Sequence, residues 1–553
     1  MPAVAEDPGP AAGRVRYRFG PLEQRGLIAG WRGGQIAVVA ASLILGVFAL
    51  RSTPSVGGAA GAFTCAALGV AVAWWPVGGR TGEQWLPLVF RWAVAAAAGG
   101  RLQLADGPRS GHLVRSTRVD GDPGEPDAPR RLVIEAARGR RPRPGSGPPG
   151  AFAGLQIGAV PTGPAPGDPS AGVVLDQRAR TVTAVLAVRG HSFALASPSD
   201  QDGRIAGWAR VLSSMAREGT DVHRVQWIES CLPDDGAGVR THLRDRAVLA
   251  PGDRAVRSYQ ALLDHSTPVT RRHQVLIGVS VHRGRAARAI RASGGGEAGA
   301  GAVVLREAVA LQRQLGEADL TVEGILGPAA LASVMREATT PCAALGPPVP
   351  GHGPGPVAAE PHPRGHPPSV GLPGPGAWAG EGTLHPWPMA VDPSWELVRT
   401  DATWHVTYWI AEWPRVDVTP DFLGPLLFSP VRRSLTLVME PVSPSRAARQ
   451  VAQARTADIA DGELRRRGGF LVTARQTRER EEVEHRDVEL ADGHAQYRFS
   501  GYVTVTADSA AELAEACASV EQAAGQARLE LRRLYGEQDV ALTCTLPLGR
   551  GLA

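Results

Sequence analysis

Lysine and asparagine are absent from all 553 residues, so the 59 basic side chains are arginines and set a formal charge of +5 against 54 carboxylates. The first absence removes whole classes of chemistry. A Walker A loop needs a Lys ammonium at the β/γ-phosphates, pyridoxal-phosphate enzymes need a Lys Schiff base, and protein kinases need a strand Lys on the α/β-phosphates. Cysteine is scarce: Cys65, Cys231, Cys342, Cys517 and Cys544 lie tens of residues apart, with no C-x-x-C pair. That spacing excludes a zinc knuckle and a dense disulfide framework, and it fits a reducing, cytosolic soluble part. Aromatic residues are 5% of the chain, whereas Gly reaches 67 and Pro 46. This composition suits compact parts separated by long loops or unfolded segments.

Catalytic signatures are missing too. There is no H-E-x-x-H, nucleophile elbow, paired metal-ligand spacing or kinase set. Gly145-Ser-Gly147-Pro-Pro-Gly150 matches G-x-G-x-x-G as a string, but its prolines and the lack of a strong preceding strand forbid the strand-turn-helix geometry of a nucleotide site. His405, between Trp404 and Tyr408, and Cys231, after Glu229, read as packed strand residues. The expectation is a chain without catalytic residues, cofactor or metal, and not an enzyme.

Long apolar runs are what the sequence does have. Gly33–Leu50 carries no charge and, at ~1.5 Å per residue, measures about 27 Å, close to the hydrocarbon thickness of a bilayer. A second run, Ala59–Val77, ends near Trp74 and Trp75, where an interfacial aromatic belt would lie. The link Arg51–Gly58 contains Pro54, so residues 33–79 read as a two-helix transmembrane hairpin. Arg14, Arg16, Arg18, Arg25 and Arg32 precede the hairpin and Arg80, Arg91 and Arg101 follow it, which places both termini, including the segment 1–32, in the cytoplasm of a cell-membrane protein. Residues 80–103 are too interrupted to span and read as an interfacial helix anchored by Trp85 and Trp92.

The remainder reads as α+β: two cytosolic α/β domains of ferredoxin-like layout, 151–338 and 377–553, behind a disordered linker 104–150 and a Pro/Gly/His-rich linker 339–376. His352, His362 and His366 in the second linker lack a rigid cage. In the last domain Pro444–Leu490 forms a long helical pair after a Ser443 cap, Ser509–Tyr535 a further helix, and Val540–Thr545 a closing strand. Arg465, Arg466 and Arg467 oppose Glu479, Glu481 and Glu482 in sign, which makes this pair a candidate polar partner face. The arginine blocks carry no recognition motif or aromatic platform, so any nucleic-acid role is indirect.

Several strings resemble known proteins. Tyr17–Gly34 (YRFGPLEQRGLIAGWRGG), the two spans and Gly79-Arg80-Thr81…Trp85…Arg91-Trp92 resemble actinobacterial integral membrane proteins found beside conjugation-type ATPases, and the small two-span inner-membrane subunit of type IV secretion. WIAEWP at Trp409–Pro414, PVSPSRA at Pro441–Ala447, GELRRRGGF at Gly462–Phe470 and TCTLPLGRGL at Thr543–Leu552 look like the N-terminal, non-motor half of type IV secretion ATPases. In those ATPases the last string leads into the P-loop motor, whereas here the chain stops at Ala553. The resemblance therefore implies a non-enzymatic membrane scaffold, homo- or hetero-oligomeric in a membrane complex, that docks a separate P-loop ATPase. A membrane component of type VII secretion, also with two spans and a cytosolic α/β part, is the alternative.

Overall fold

In a computed structural model of the chain, the described residues are 33–77, 80–97 and 102–104, the pieces 115–116 and 134–135, and 148–340 and 386–552 apart from a few loop positions. The segment 1–32, nearly all of the expected linker 104–150, residues 341–376 of the expected second linker and the first residues, 377–385, of the expected last domain lie outside them.

Helices α1 (Gly33–Ser52) and α2 (Val56–Trp74) form an antiparallel pair. Small residues set their spacing: a Cβ on Gly69 would lie 2.1 Å from Ser42 Oγ, so the backbones approach as only glycine allows. Ser55 caps α2 by accepting from Gly58 N at 3.2 Å. Both helices are long and apolar enough to cross a membrane. Their outer faces are bare, with Ile44 70%, Phe48 73% and Phe63 77% exposed, unlike the core helices of a water-soluble domain. Helix α3 (Gly82–Ala97) follows at once.

The rest is a mixed helix and sheet structure around one antiparallel sheet of thirteen strands among the described residues. Residues 148–340 supply β2 (Leu155–Pro161), β3 (Ser170–Asp176), β4 (Thr181–Arg189), β5 (Val222–Pro233), β6 (Arg271–His282) and β7 (Thr321–Ile325). Residues 386–552 supply β8 (Ala390–Pro393), β9 (Val398–Thr400), β10 (Thr403–Glu412), β11 (Arg433–Val442), β12 (Gln496–Ala507) and β13 (Glu530–Arg533), and β1 (Gln103–Leu104) adds to β8. The order is β1-β8-β9-β10-β12-β11-β5-β6-β4-β3-β2, with β7 on β4 and β13 on β10.

The two segments expected as separate domains are thus halves of one sheet, joined where β5 pairs with β11 from Cys231↔Arg433 to Val225↔Met439. Each half repeats the other. In the first, β4, α4 (Pro198–Met215), β5, the pair α5 (Ala237–Arg246) and α6 (Arg254–Ser266), β6, then α7 (Ala287–Ala292) with α8 (Gly296–Glu317), and β7 give the order β7-β4-β6-β5, followed by α9 (Pro328–Thr339). In the second, β10, α10 (Gly424–Leu427), β11, the pair α11 (Pro444–Gly468) and α12 (Ala474–Ala491), β12, α13 (Ala510–Gln526) and β13 give β13-β10-β12-β11, followed by α14 (Gln538–Cys544). The turns on either side of β7 and β13 even share residues: Gly316, Ala318, Leu320 and Gly327 in one half match Gly525, Ala527, Leu529 and Gly536 in the other. Asp319 (φ 60) and Arg528 (φ 58) adopt the same left-handed turn there.

One sheet face is apolar and packs under α4 and α8 through Val182, Leu186, Ile277 and Val303, and under α10 and α13 through Val406, Leu435, Val503 and Leu513. Burying each such side chain contributes about 1.5–3 kcal/mol. The other face holds α9, α14 and the C-terminal stretch around Leu331, Met335, Leu542, Leu546 and Leu548, and Phe152 meets Trp387 there at 6.2 Å between ring centroids.

Two expectations are corrected. Ser509–Tyr535 is not one helix: α13 ends at Gln526, Arg528 turns left-handed with Leu529 N donating to Ala524 O at 2.9 Å, and β13 then pairs with β10. Val540–Thr545 is not a strand but lies on and just after α14, because Gln538 anchors that helix to β10, accepting from Thr407 N at 2.7 Å and donating to Thr407 O at 3.2 Å.

Candidate membrane anchor and partner face

The sequence of α3 alternates aromatic and aliphatic residues at helical spacing, which gives it two apolar faces. Trp85 and Trp92 turn inward onto Trp395, at 5.9 Å (stacked) and 5.5 Å (edge-on) between centroids, and Tyr535 completes the cluster 6.5 Å from Trp395. Leu86 and Phe90 turn outward, 54% and 72% exposed. Arg80 extends this contact, its guanidinium 5.7 Å from the Trp85 centroid and 4.0 Å from Glu537. Of the four expected interface anchors, Trp74 and Trp75 sit at the end of α2, 39% and 71% exposed, whereas Trp85 and Trp92 face the sheet domain.

The candidate partner face lies on α11 and α12. By its 25 residues α11 extends ~37 Å. The two helices meet through Val451, Ala454, Val483 and Leu490, and Arg455 pairs with Asp487 at 2.6 Å. At the foot, Ser445 N donates to Glu218 at 3.1 Å, and hydrogen bonds from the Ser445 side chain and then its backbone hold the Glu218 carboxyl below its ordinary value. Arg465, Arg466 and Arg467 fall in the last turn of α11, and Glu479, Glu481 and Glu482 in the first half of α12. Glu481 is exposed; the side chains of the other five lie outside the described ones.

Where β5 and β11 join, Arg433 is fully buried and donates to Glu229 Oε2 at 2.6 Å and to Leu426 O at 2.7 Å, with Leu427 O as a further acceptor. His273 Nδ1 lies 2.6 Å from the other Glu229 oxygen. At the opposite end of the seam Glu440 receives Arg285 at 3.0 Å and faces Arg224 at 3.5 Å. Burial alone would raise Glu440, but the Arg285 hydrogen bond and the surrounding cations hold its carboxyl below its ordinary value. Burial, then the charges of Arg224 and Arg285, push neighbouring His223 down to about 4, so it is a neutral hydrogen-bond partner at pH 7.

The C-terminal stretch crosses the seam. Gln226 donates to Cys544 O at 3.0 Å and Leu546 O at 2.8 Å and accepts from Gly549 N at 2.7 Å. Arg224 donates to Gly549 O and Leu552 O, and Arg550 pairs with buried Asp176 at 2.7 Å. Sequence reading missed this function of TCTLPLGRGL; its signal was a buried-type polar residue, Gln226, within an apolar strand.

Among the described residues no three His, Cys, Asp or Glu side chains are placed to hold a metal. His405 is buried and bonded to Thr400 at 2.7 Å and Thr506 at 3.0 Å, and burial pushes it down to about 4. Cys231 is buried as well, and burial raises its thiol. A groove of about 820 Å³ between α4 and α8 is lined by charges of both signs, Arg210, Arg217 and Arg313 beside Glu317 and Asp492. No family model matches the chain, and no curated protein matches it either.

Proposed function

We propose that this protein is a non-enzymatic membrane scaffold of a conjugation or type IV-like secretion apparatus, and that α11 and α12 dock a separate P-loop ATPase. The observation that carries the reading is the pairing, in one chain, of an apolar hairpin with a charge-laced helical pair whose apolar contact is spent on itself. In this reading both termini are cytoplasmic, as the arginine distribution favours, and α3 lies at the membrane surface. The order β7-β4-β6-β5, repeated as β13-β10-β12-β11 with helices between, supports two ferredoxin-like halves. A separate motor fits this chemistry, since no lysine in these residues can serve a P-loop. Nucleic acid, where it is the cargo, meets the assembly through other subunits.

The test is co-purification with a co-expressed P-loop secretion ATPase, using the full chain, a variant lacking 444–490, and the pair Glu481→Arg/Glu482→Arg. Docking at this face predicts loss of the ATPase from the deletion and weakened, more salt-sensitive recovery with the charge reversals. Equal recovery from all three overturns it.

A further inference from the structure

We infer that the end of the seam where α11 begins docks an extended acidic segment of a partner protein, held by Arg180, Arg224, Arg285 and Arg498. These arginines belong to one row across five adjacent strands. Arg498 on β12 stands directly opposite Glu440 on β11, and Arg224 on β5 reaches the same carboxylate at 3.5 Å. Arg224 in turn stands opposite Ser280 on β6, and His282, two residues on, stands opposite Thr181 on β4, which Arg180 precedes. Cross-strand partners share a face, and this face is that of the C-terminal stretch: Arg224 donates to Leu552 O at 2.6 Å, and a Cβ on Gly549 would lie 2.2 Å from Ser280 Oγ. At ~4.8 Å per strand the row is about 19 Å long.

Charge is uncompensated in this row. Its four guanidiniums stand with one carboxylate, Glu440, whose oxygens already serve Arg285 and Arg224. Asp176 and Asp221, at the same ends of β3 and β5, are taken by Arg550 at 2.7 Å and Arg306 at 2.8 Å. Arg180 is exposed and forms no ion pair among the described residues. Two imidazoles add donors. Ser280 faces Arg224 but Val281 faces Val222, so His223 bulges out of the ladder, and its ring meets that of His282 at 5.3 Å between centroids. His223 Nδ1 lies 3.2 Å from Arg285 Nη1, and a guanidinium only donates, so this nitrogen accepts. His282 Nδ1 likewise accepts from Gly284 N at 3.1 Å and Arg285 N at 3.2 Å. Burial and then the nearby arginines keep both rings neutral at pH 7, so each carries its proton on Nε2, a donor with no hydrogen-bond acceptor among the described residues. Donors in excess select an anion, and the length of the row selects several carboxylates on an extended chain over a single phosphate: six residues at ~3.3 Å each span about 20 Å. A nucleic-acid strand fits less well, because the two rings at the site are packed on each other and leave bases no platform to stack on.

The test is fluorescence anisotropy of labelled hexaglutamate titrated with the full chain in neutral detergent at pH 7. Three proteins are compared: the unaltered chain, Arg180→Gln/Arg498→Gln at the two ends of the row, and Arg210→Gln/Arg313→Gln in the groove between α4 and α8 as a charge-matched control. All four arginines are exposed, so neither pair of substitutions should unfold the chain. Saturable, salt-sensitive binding is expected, about tenfold weaker in the row variant and little changed in the control. No saturable binding, or the same loss in both variants, overturns the inference. Tighter binding of a short oligothymidylate that depends on Arg180 and Arg498 overturns it in favour of nucleic acid. Displacement of the peptide by inorganic phosphate, but not by chloride at matched ionic strength, overturns it in favour of a phosphate site.

Discussion

Replacing Arg433 by Met should cost about 3–5 kcal/mol, the usual penalty for breaking a buried ion pair from one side. The side chain is fully buried on the β11 face of the seam, and its guanidinium is the cation 2.6 Å from Glu229 Oε2. Methionine fills much the same volume but leaves the Glu229 carboxylate with His273 alone, and it strands the carbonyls of Leu426 and Leu427. Glu229→Leu should be costly for the mirror reason. The pair Glu229→Leu/Arg433→Met removes both charges, so it should fall well short of the sum of the singles, with a coupling of at least ~2 kcal/mol. Guanidinium titration of the full chain in detergent, followed by tryptophan fluorescence, gives these values, and Trp227 on β5 lies beside the seam. A single-variant cost under ~1 kcal/mol, or additivity within ~0.5 kcal/mol, would show that β5 and β11 do not meet as described.

Three further outcomes follow from the same geometry. His405 is neutral in the fold, near 4 against an ordinary 6.5, so only the unfolded chain is protonated between those values; stability should fall by on the order of 3 kcal/mol from that site as pH drops from 6.5 to 4, and His405→Gln should remove about one proton of uptake on unfolding there. Gln226→Ala leaves three buried backbone groups of the C-terminal stretch without their partner, and faster amide exchange across residues 544–549 should report it; unchanged protection would contradict the strap. Equilibrium dialysis should find no saturable micromolar ATP binding by the full chain, because there is no lysine to meet the β/γ-phosphates as a P-loop requires; saturable binding would reverse that.

The apolar hairpin was legible because an uncharged run long enough to cross the hydrocarbon layer stands out from the rest of the chain, and most strands of 148–340 were legible from their period-two apolar pattern. The seam was not. Glu229 and Arg433 stand some two hundred residues apart, and each alone reads as a polar interruption of its strand; only their pairing across the sheet gives them meaning. The repeat between halves escaped for a related reason, since it survives as topology and a few turn residues such as Gly316 and Gly525. Helix α3 was legible as an amphipathic element, but the inward target of Trp85 and Trp92 is Trp395, far along the chain, and no local pattern announces it. Ser509–Tyr535 misled because helix-forming composition continues past Arg528, where a left-handed residue ends the helix and β10 recruits the next four residues as a strand.

The function proposed for this protein depends on a membrane hairpin with both flanks on the same side. Reporter fusions in intact cells, one at Gly57 between α1 and α2 and one after Ala553, test that directly. The account predicts an external signal from the first and a cytoplasmic signal from the second. The same compartment from both would contradict it.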